Sequence, residues 1–154
     1  MSSRSDGPPD DRLLLDAMLG KLTRYLRMCG YDAAYVLDDG VEADDDVLSM
    51  ARDEDRTLVT RDAGLVERVD DAILVGSKAI EEQLRELRAA GLDLSLTEPA
   101  RCSTCNGRLE ETAEATPEGV PDRDERRVWR CRACGQHFWK GSHWDDVAET
   151  LGEL

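Results

Sequence analysis

"LLLDAMLGKLTRYLRMCGYDAAYVL", residues 13–37, reads as strand, helix, strand. Leu13–Leu15 is an unbroken apolar run closed by Asp16, the pattern of a strand covered on both faces. Leu19, Leu22, Leu26 and Cys29 then recur at helical spacing, and Gly30 stands where a left-handed residue ends a helix. "AAYVL" (33–37) is a second apolar strand.

The same alternation continues outward. An acidic loop, "DDGVEADDD" (38–46), leads into a helix with Val47, Leu48 and Ala51 on its apolar side. "TLVT" (57–60), a short helix around Leu65–Val69, the strand "AILVG" (72–76) and an amphipathic helix over 77–90, ended by Gly91, complete the pattern. Strand alternating with helix four times predicts an α/β layer, a parallel sheet flanked by helices. Near Pro99 the pattern breaks into a cysteine-punctuated region with a polar insert, "EETAEATPEGVPDRDE" (110–125). The expected organisation is therefore a disordered tail over 1–12, an α/β domain over 13–98, and a small ribbon with a C-terminal helix over 99–154.

The tail "MSSRSDGPPDDR" lacks the apolar stretch of a signal peptide. No apolar run approaches the ~20 residues that span a bilayer, so no membrane partner is expected. Five cysteines without a secretory signal suit a cytoplasmic chain that uses them as metal ligands plus one buried thiol, Cys29.

A net charge of -14 argues at first against nucleic acid. Scarce Lys and abundant Asp suit a halophilic cytoplasm, where high salt screens self-repulsion and only local departures from acidity report partners. One departure is present. "RRVWRCRACGQHFWK" (126–140) has five bases and no acid. Arg130, Arg132, Trp139 and Lys140 in this segment suit phosphates and unpaired bases, the competing role of its aromatics being a core for the ribbon.

Cys102-x2-Cys105 and Cys131-x2-Cys134 supply four thiolates from two tight turns, the ligand set of a structural Zn²⁺. A rubredoxin-like iron site uses the same knuckles. Gly107 and Gly135 stand where the backbone folds back toward the metal. His137 is expected to be a surface polar residue, and Ser142 with Asp145 a helix capping box in "SHWD".

Asp16 and Asp62 follow the first and third strands and emerge at one carboxyl edge, where parallel sheets place ligands. Asp45 starts the helix that returns to that edge. Clustered carboxylates repel one another, and a hard cation such as Mg²⁺ or Mn²⁺ relieves the repulsion. Taken singly, each also fits a turn or helix cap, and Asp44 is the better cap of the acidic run. Lys21, Arg24 and Arg27 fall within an arc of about 120° on the first helix, a basic ridge beside Asp16 that suits substrate phosphates or a solvated face alike.

"DAMLGKLTRYLRMCGYD", "DDDVLSMA", "RTLVTRD", the paired CxxC knuckles and "FWKGSHW" together resemble the Mut-seven C-terminal RNase domain family, a PIN-like nuclease domain fused to a zinc ribbon. The resemblance spans residue 13 to about 150. It implies a PIN-like fold, Mg²⁺ or Mn²⁺ dependence and RNA cleavage. It implies catalytic and cation-binding roles for Asp16, Asp45 and Asp62, and Zn²⁺ ligation by Cys102, Cys105, Cys131 and Cys134. The family's pattern includes a fourth acid, for which Asp44 or Asp46 is the candidate; a second chain is the alternative, which leaves a homo-oligomer open. The expected function is a metal-dependent ribonuclease whose ribbon helps grip single-stranded RNA. A non-catalytic RNA-binding adaptor on the same scaffold is the first rival, and a metal-dependent phosphatase the second.

Overall fold

The computed structural model describes residues 12–154. The tail expected over 1–12 lies outside the described residues except for Arg12, which opens the first strand. In chain order the elements are β1 (Arg12–Leu15), α1 (Gly20–Met28), β2 (Asp32–Tyr35), a 3-10 turn (Val36–Asp39), α2 (Asp44–Asp53), β3 (Thr57–Thr60), α3 (Ala63–Val66), β4 (Ala72–Leu74) and α4 (Ile80–Ala89). Then follow β5 (Leu109–Glu111), β6 (Trp129–Cys131), β7 (His137–Phe138) and α5 (Ser142–Gly152).

The first four strands form one parallel sheet in the order β2-β1-β3-β4. Leu13, Leu14 and Leu15 are all fully buried, which the two-residue strand period allows only with both faces covered. Leu13 and Leu15 join one cluster with Leu22 and Leu26 of α1 and Leu84 and Leu87 of α4. Leu14 joins the opposite cluster with Val47, Leu48 and Ala51 of α2 and Leu65 of α3. Each such leucine gains about 1.5–3 kcal/mol over an exposed one, so the central run carries the three-layer architecture.

Several boundaries differ from the sequence expectation: the short helix expected around Leu65–Val69 runs Ala63–Val66 behind its Asp62 cap, and the strand expected over 72–76 ends at Leu74. The second strand stops at Tyr35, and Val36–Asp39 turns into a 3-10 segment closed by Gly40 at φ 67. Asp38 is drawn toward Arg27 there, while Val36 stays buried. The helix expected from Ser77 starts at Ile80, because the Glu86 carboxylate accepts from Gly76 N, Ser77 N and Ser77 Oγ and holds that turn out of the helix. Neither Ser142 nor Asp44 caps a helix. Each is the first helical residue behind Gly141 or Ala43, and neither helix has a side-chain cap bond.

The second sheet, β5-β6-β7, is antiparallel, with the polar insert as the connection between β5 and β6. The compositional break near Pro99 is not a break in packing. Val147 and Leu151 of α5 are buried in the cluster that holds α1 and α4. Among the described residues no helix is long and apolar enough to cross a membrane.

Candidate active site and metal centre

The carboxyl edge of the parallel sheet is organised by one hydroxyl. Asp16 N donates to Val59 O at 3.1 Å, extending the β1–β3 ladder one residue past the strand. This brings the Asp16 side chain beside fully buried Thr60, whose Oγ1 donates to Asp16 Oδ2 at 2.7 Å and accepts from Asp62 N at 3.0 Å. Asp16 Oδ1 accepts from Ala17 N, and Asp62 Oδ1 accepts from Gly64 N as the N-cap of α3. Thr60 thus locks the two aspartates into one local network. Nothing in the sequence marks Thr60 for this role, because a strand-terminal Thr ordinarily signals β propensity alone.

Asp45 is placed differently. It lies in the first turn of α2, with its side chain 85% exposed, and pairs with Arg68 at 2.6 Å. Asp44 is exposed beside it. Among the described residues only the four cysteines form a group of three or more ligand-bearing side chains close enough to hold one ion. Asp16, Asp45 and Asp62 do not form such a group, and neither Asp44 nor Asp46 completes one. Two carboxylates share one edge, donor chemistry that suits a hard cation, while Asp45 is held in a surface ion pair worth only about 0–1 kcal/mol. Next to Asp62, Arg61 carries a buried Nε without a partner among the described residues.

Tyr35 closes the site on the β2 side. Its hydroxyl donates to Ala17 O, and a Cβ at Gly20 would come within 3.1 Å of the Tyr35 hydroxyl oxygen. Burial, then the charges of Asp38 and Asp16, raise the Tyr35 phenol above its usual range, so it stays a donor.

The basic ridge on α1 is only two residues long. Lys21 and Arg24 are exposed, but Arg27 is 3% exposed and structural. Its Nε donates to Ala33 O, and its NH groups reach Ser103 O and Asp38. Helical spacing placed Arg27 correctly on the arc; the ribbon packed over that end of the arc covers it.

The acid-free segment 126–140 is not free of acids in space. Arg127 pairs with Glu98 at 2.8 Å and Glu111 at 2.9 Å, Lys140 with Glu98 at 3.0 Å, and Arg132 with Glu110 at 3.8 Å. The carboxylates arrive from β5 and from the residue before Pro99. Arg130 is exposed with no carboxylate partner among the described residues. Trp129 is buried, while Phe138, Trp139 and Trp144 are half-buried.

The cysteine tetrad is assembled. All four Sγ atoms lie within 4.8 Å of one another. Cys102 and Cys134 are 3.7 Å apart and Cys105 and Cys131 3.6 Å, close to the ~3.8 Å edge of a tetrahedron with ~2.3 Å Zn–S bonds. Burial pushes the Cys102 thiol up to about 12. At Cys131 burial is outweighed by the N–H groups of Cys134 and Ala133, which bring it down to about 7. A Cβ on Gly107 would sit 2.8 Å from Cys131 Sγ, so that position must be glycine for the knuckles to close.

The two knuckles match. Asn106 N donates to Cys102 O and Gly135 N to Cys131 O, and both residues are left-handed, at φ 70 and 80. Asn stands in the first because its side chain has a second task. Asn106 Oδ1 accepts from Ala33 N at 3.1 Å and Nδ2 donates to Asp32 Oδ1 at 2.7 Å, pairing the open edge of β2. Asp32 also meets Arg56 at 2.9 Å and Arg101 at 3.6 Å.

These features define a parallel α/β domain with an acidic carboxyl edge and a docked four-cysteine ribbon. The chain belongs to the Mut7-C RNAse domain family, whose model matches residues 11–151. No curated protein and no solved structure matches the chain. Family membership supports a nuclease-like function and implies RNA as substrate; the cysteine tetrad is compatible with zinc binding.

Proposed function

We propose that this protein is a divalent-cation-dependent ribonuclease that hydrolyses RNA phosphodiester bonds at the carboxyl edge of its parallel sheet. The observation that carries this is the Thr60 hydroxyl joining Asp16 to Asp62, which preorganises two hard ligands at the ligand-binding edge of an RNase-family fold. Mg²⁺ or Mn²⁺ held by Asp16, Asp62 and Asp45 would supply charge neutralisation and Lewis acidity toward the phosphodiester. Asp16 is oriented through Thr60 and Ala17 N, and Asp62 through Gly64 N. Asp45 joins them by leaving Arg68, and Asp44 is the adjacent carboxylate available as an outer partner. Lys21 and Arg24 attract the phosphate backbone, and Arg130 and Trp139 present the ribbon side to unpaired bases. The Zn²⁺ centre is structural, since four thiolates leave no open coordination position.

Incubation of purified protein with labelled RNA and Mn²⁺, beside an Asp16→Asn variant, tests this. Cleavage by the wild type with at least a hundredfold loss in the variant is expected. Equal rates in both would exclude the site.

The ion pair between Asp45 and Arg68 favours one rival, an RNA-binding adaptor whose acidic edge never assembles. RNA binding that survives EDTA, without cleavage under Mn²⁺, would select it.

A further inference from the structure

Between α1 and the ribbon lies a cavity of about 580 Å³, bordered by Lys21, Arg24 and Tyr25 of α1, Thr104 of the first knuckle and His143 of α5. A second cavity of about 360 Å³ shares Arg24, Thr104 and His143 with it and continues past Phe138 and Trp139. Together they make one groove. Its inner end is Gly20 and Tyr35, and the Tyr35 hydroxyl bonds Ala17 O, one residue from Asp16. Its outer end is the ribbon's half-buried aromatic pair.

The electrostatics of this groove differ from those of the rest of the chain. Lys21 and Arg24 are exposed and have no carboxylate partner among the described residues, in a protein of net charge -14. The ribbon cations Arg127, Arg132 and Lys140 are each neutralised by glutamates. The acid bordering the groove, Asp38, is engaged by Arg27. Two uncompensated cations beside a concave wall, with flat rings further along, match an anionic chain that carries unstacked bases. A cavity of this size falls within the range of roughly 300–1,000 Å³ that encloses ligands of nucleotide scale.

We propose that this groove seats a single strand of RNA, with phosphates on Lys21 and Arg24 and bases against Phe138 and Trp139, and delivers it to Asp16. The proposal rests on the sheet edge being the ribonuclease site. It makes His143 and Thr104, which no motif singled out as RNA contacts, part of the substrate surface. It also gives the zinc centre a task beyond local stability, since the Cys102–Cys105 knuckle forms one wall of the groove.

The test is fluorescence anisotropy of a labelled decauridylate with zinc-loaded protein and no added Mg²⁺ or Mn²⁺, so that RNA stays intact. Lys21→Glu/Arg24→Glu is compared with Arg52→Glu/Arg123→Glu, an equal charge change at exposed positions away from the groove. The groove variant should bind at least tenfold more weakly, with a salt dependence shallower by about 1.4 in log–log slope for two lost phosphate contacts. The control should stay within twofold. A 4-thiouridine-bearing strand should cross-link to Tyr25, Phe138, Trp139 or His143 of the wild type. Equal loss in both variants, loss in neither, or cross-links elsewhere would overturn the groove while leaving cleavage at Asp16 intact. A wild type that binds no RNA here would overturn the groove, while the Mn²⁺ cleavage assay with Asp16→Asn decides the ribonuclease function separately.

Discussion

The Thr60 hydroxyl donates to Asp16 Oδ2 at 2.7 Å and ties the end of β3 to the end of β1. The same oxygen accepts from Asp62 N, so one buried atom sets the relation between two candidate ligands that follow separate strands. Thr60→Val keeps the volume and removes this bridge. In the Mn²⁺-dependent cleavage assay kcat should fall roughly 10–100-fold, the scale of a small misplacement of a reacting group, with KM within about twofold. Stability should change by only about 1 kcal/mol, and Thr60→Ser should restore kcat. Unchanged turnover in Thr60→Val would remove Thr60 from the site.

Asn106 joins the metal knuckle to the sheet. Asn106→Gly keeps the left-handed backbone and deletes only the contacts to Asp32 and Ala33. Leaving the half-buried Asp32 carboxylate and the N–H of buried Ala33 without this partner should cost about 1–3 kcal/mol in urea unfolding, with Zn²⁺ affinity by chelator competition nearly unchanged. A large loss of Zn²⁺ affinity instead would mean the side chain serves the knuckle and not the docking.

The thiols should titrate in two classes. Cys29 is 6% exposed, and burial first, then the charge of Asp93, raises its thiol to about 12, so it is unreactive in the folded chain. Native zinc-loaded protein should show almost no reaction with a thiol reagent. A chelator should release one Zn²⁺ and expose four thiols, and denaturant should expose the fifth. Fast labelling of Cys29 in native protein would contradict its burial.

Asp32 gives a pH signature. Burial alone would raise its carboxyl, but the Asn106 amide, then Arg56 and Arg101, hold it below its ordinary value of 3.8. A depressed folded value adds stability above the unfolded value, and that stability is lost as pH falls through the folded one. The difference in melting temperature between wild type and Asp32→Asn should therefore be constant above about pH 5 and shrink below pH 3.8. Zinc loss in acid affects both proteins and cancels. A difference that grows on acidification would reverse the assignment.

The sheet was legible because Leu13–Leu15, Leu58–Val59 and Ile73 form short apolar runs between helical patterns, and local pattern dictates such elements. The cysteine tetrad was legible because two CxxC turns specify a ligand set through spacing alone. Neighbours brought together only by folding were not. Arg27 counts as surface until the ribbon covers it, and the acid-free segment around Arg130 counts as cationic until Glu98, Glu110 and Glu111 arrive from elsewhere in the chain. Asn106 carries no motif that marks it as the pairing partner of an open strand edge. At the acidic edge, strand ends bring Asp16 and Asp62 to the one Thr60 hydroxyl, whereas the orientation of Asp45 depends on Arg68, 23 positions away.

Anomalous diffraction from crystals soaked in Mn²⁺ examines the acidic edge most directly. A single strong peak between Asp16 and Asp62, with Asp45 rotated off Arg68 to join them, is expected. Crystals saturated with manganese that show no peak there, with Asp45 still on Arg68, would mean the edge is not a cation site and that the chain does not cleave RNA in the way proposed.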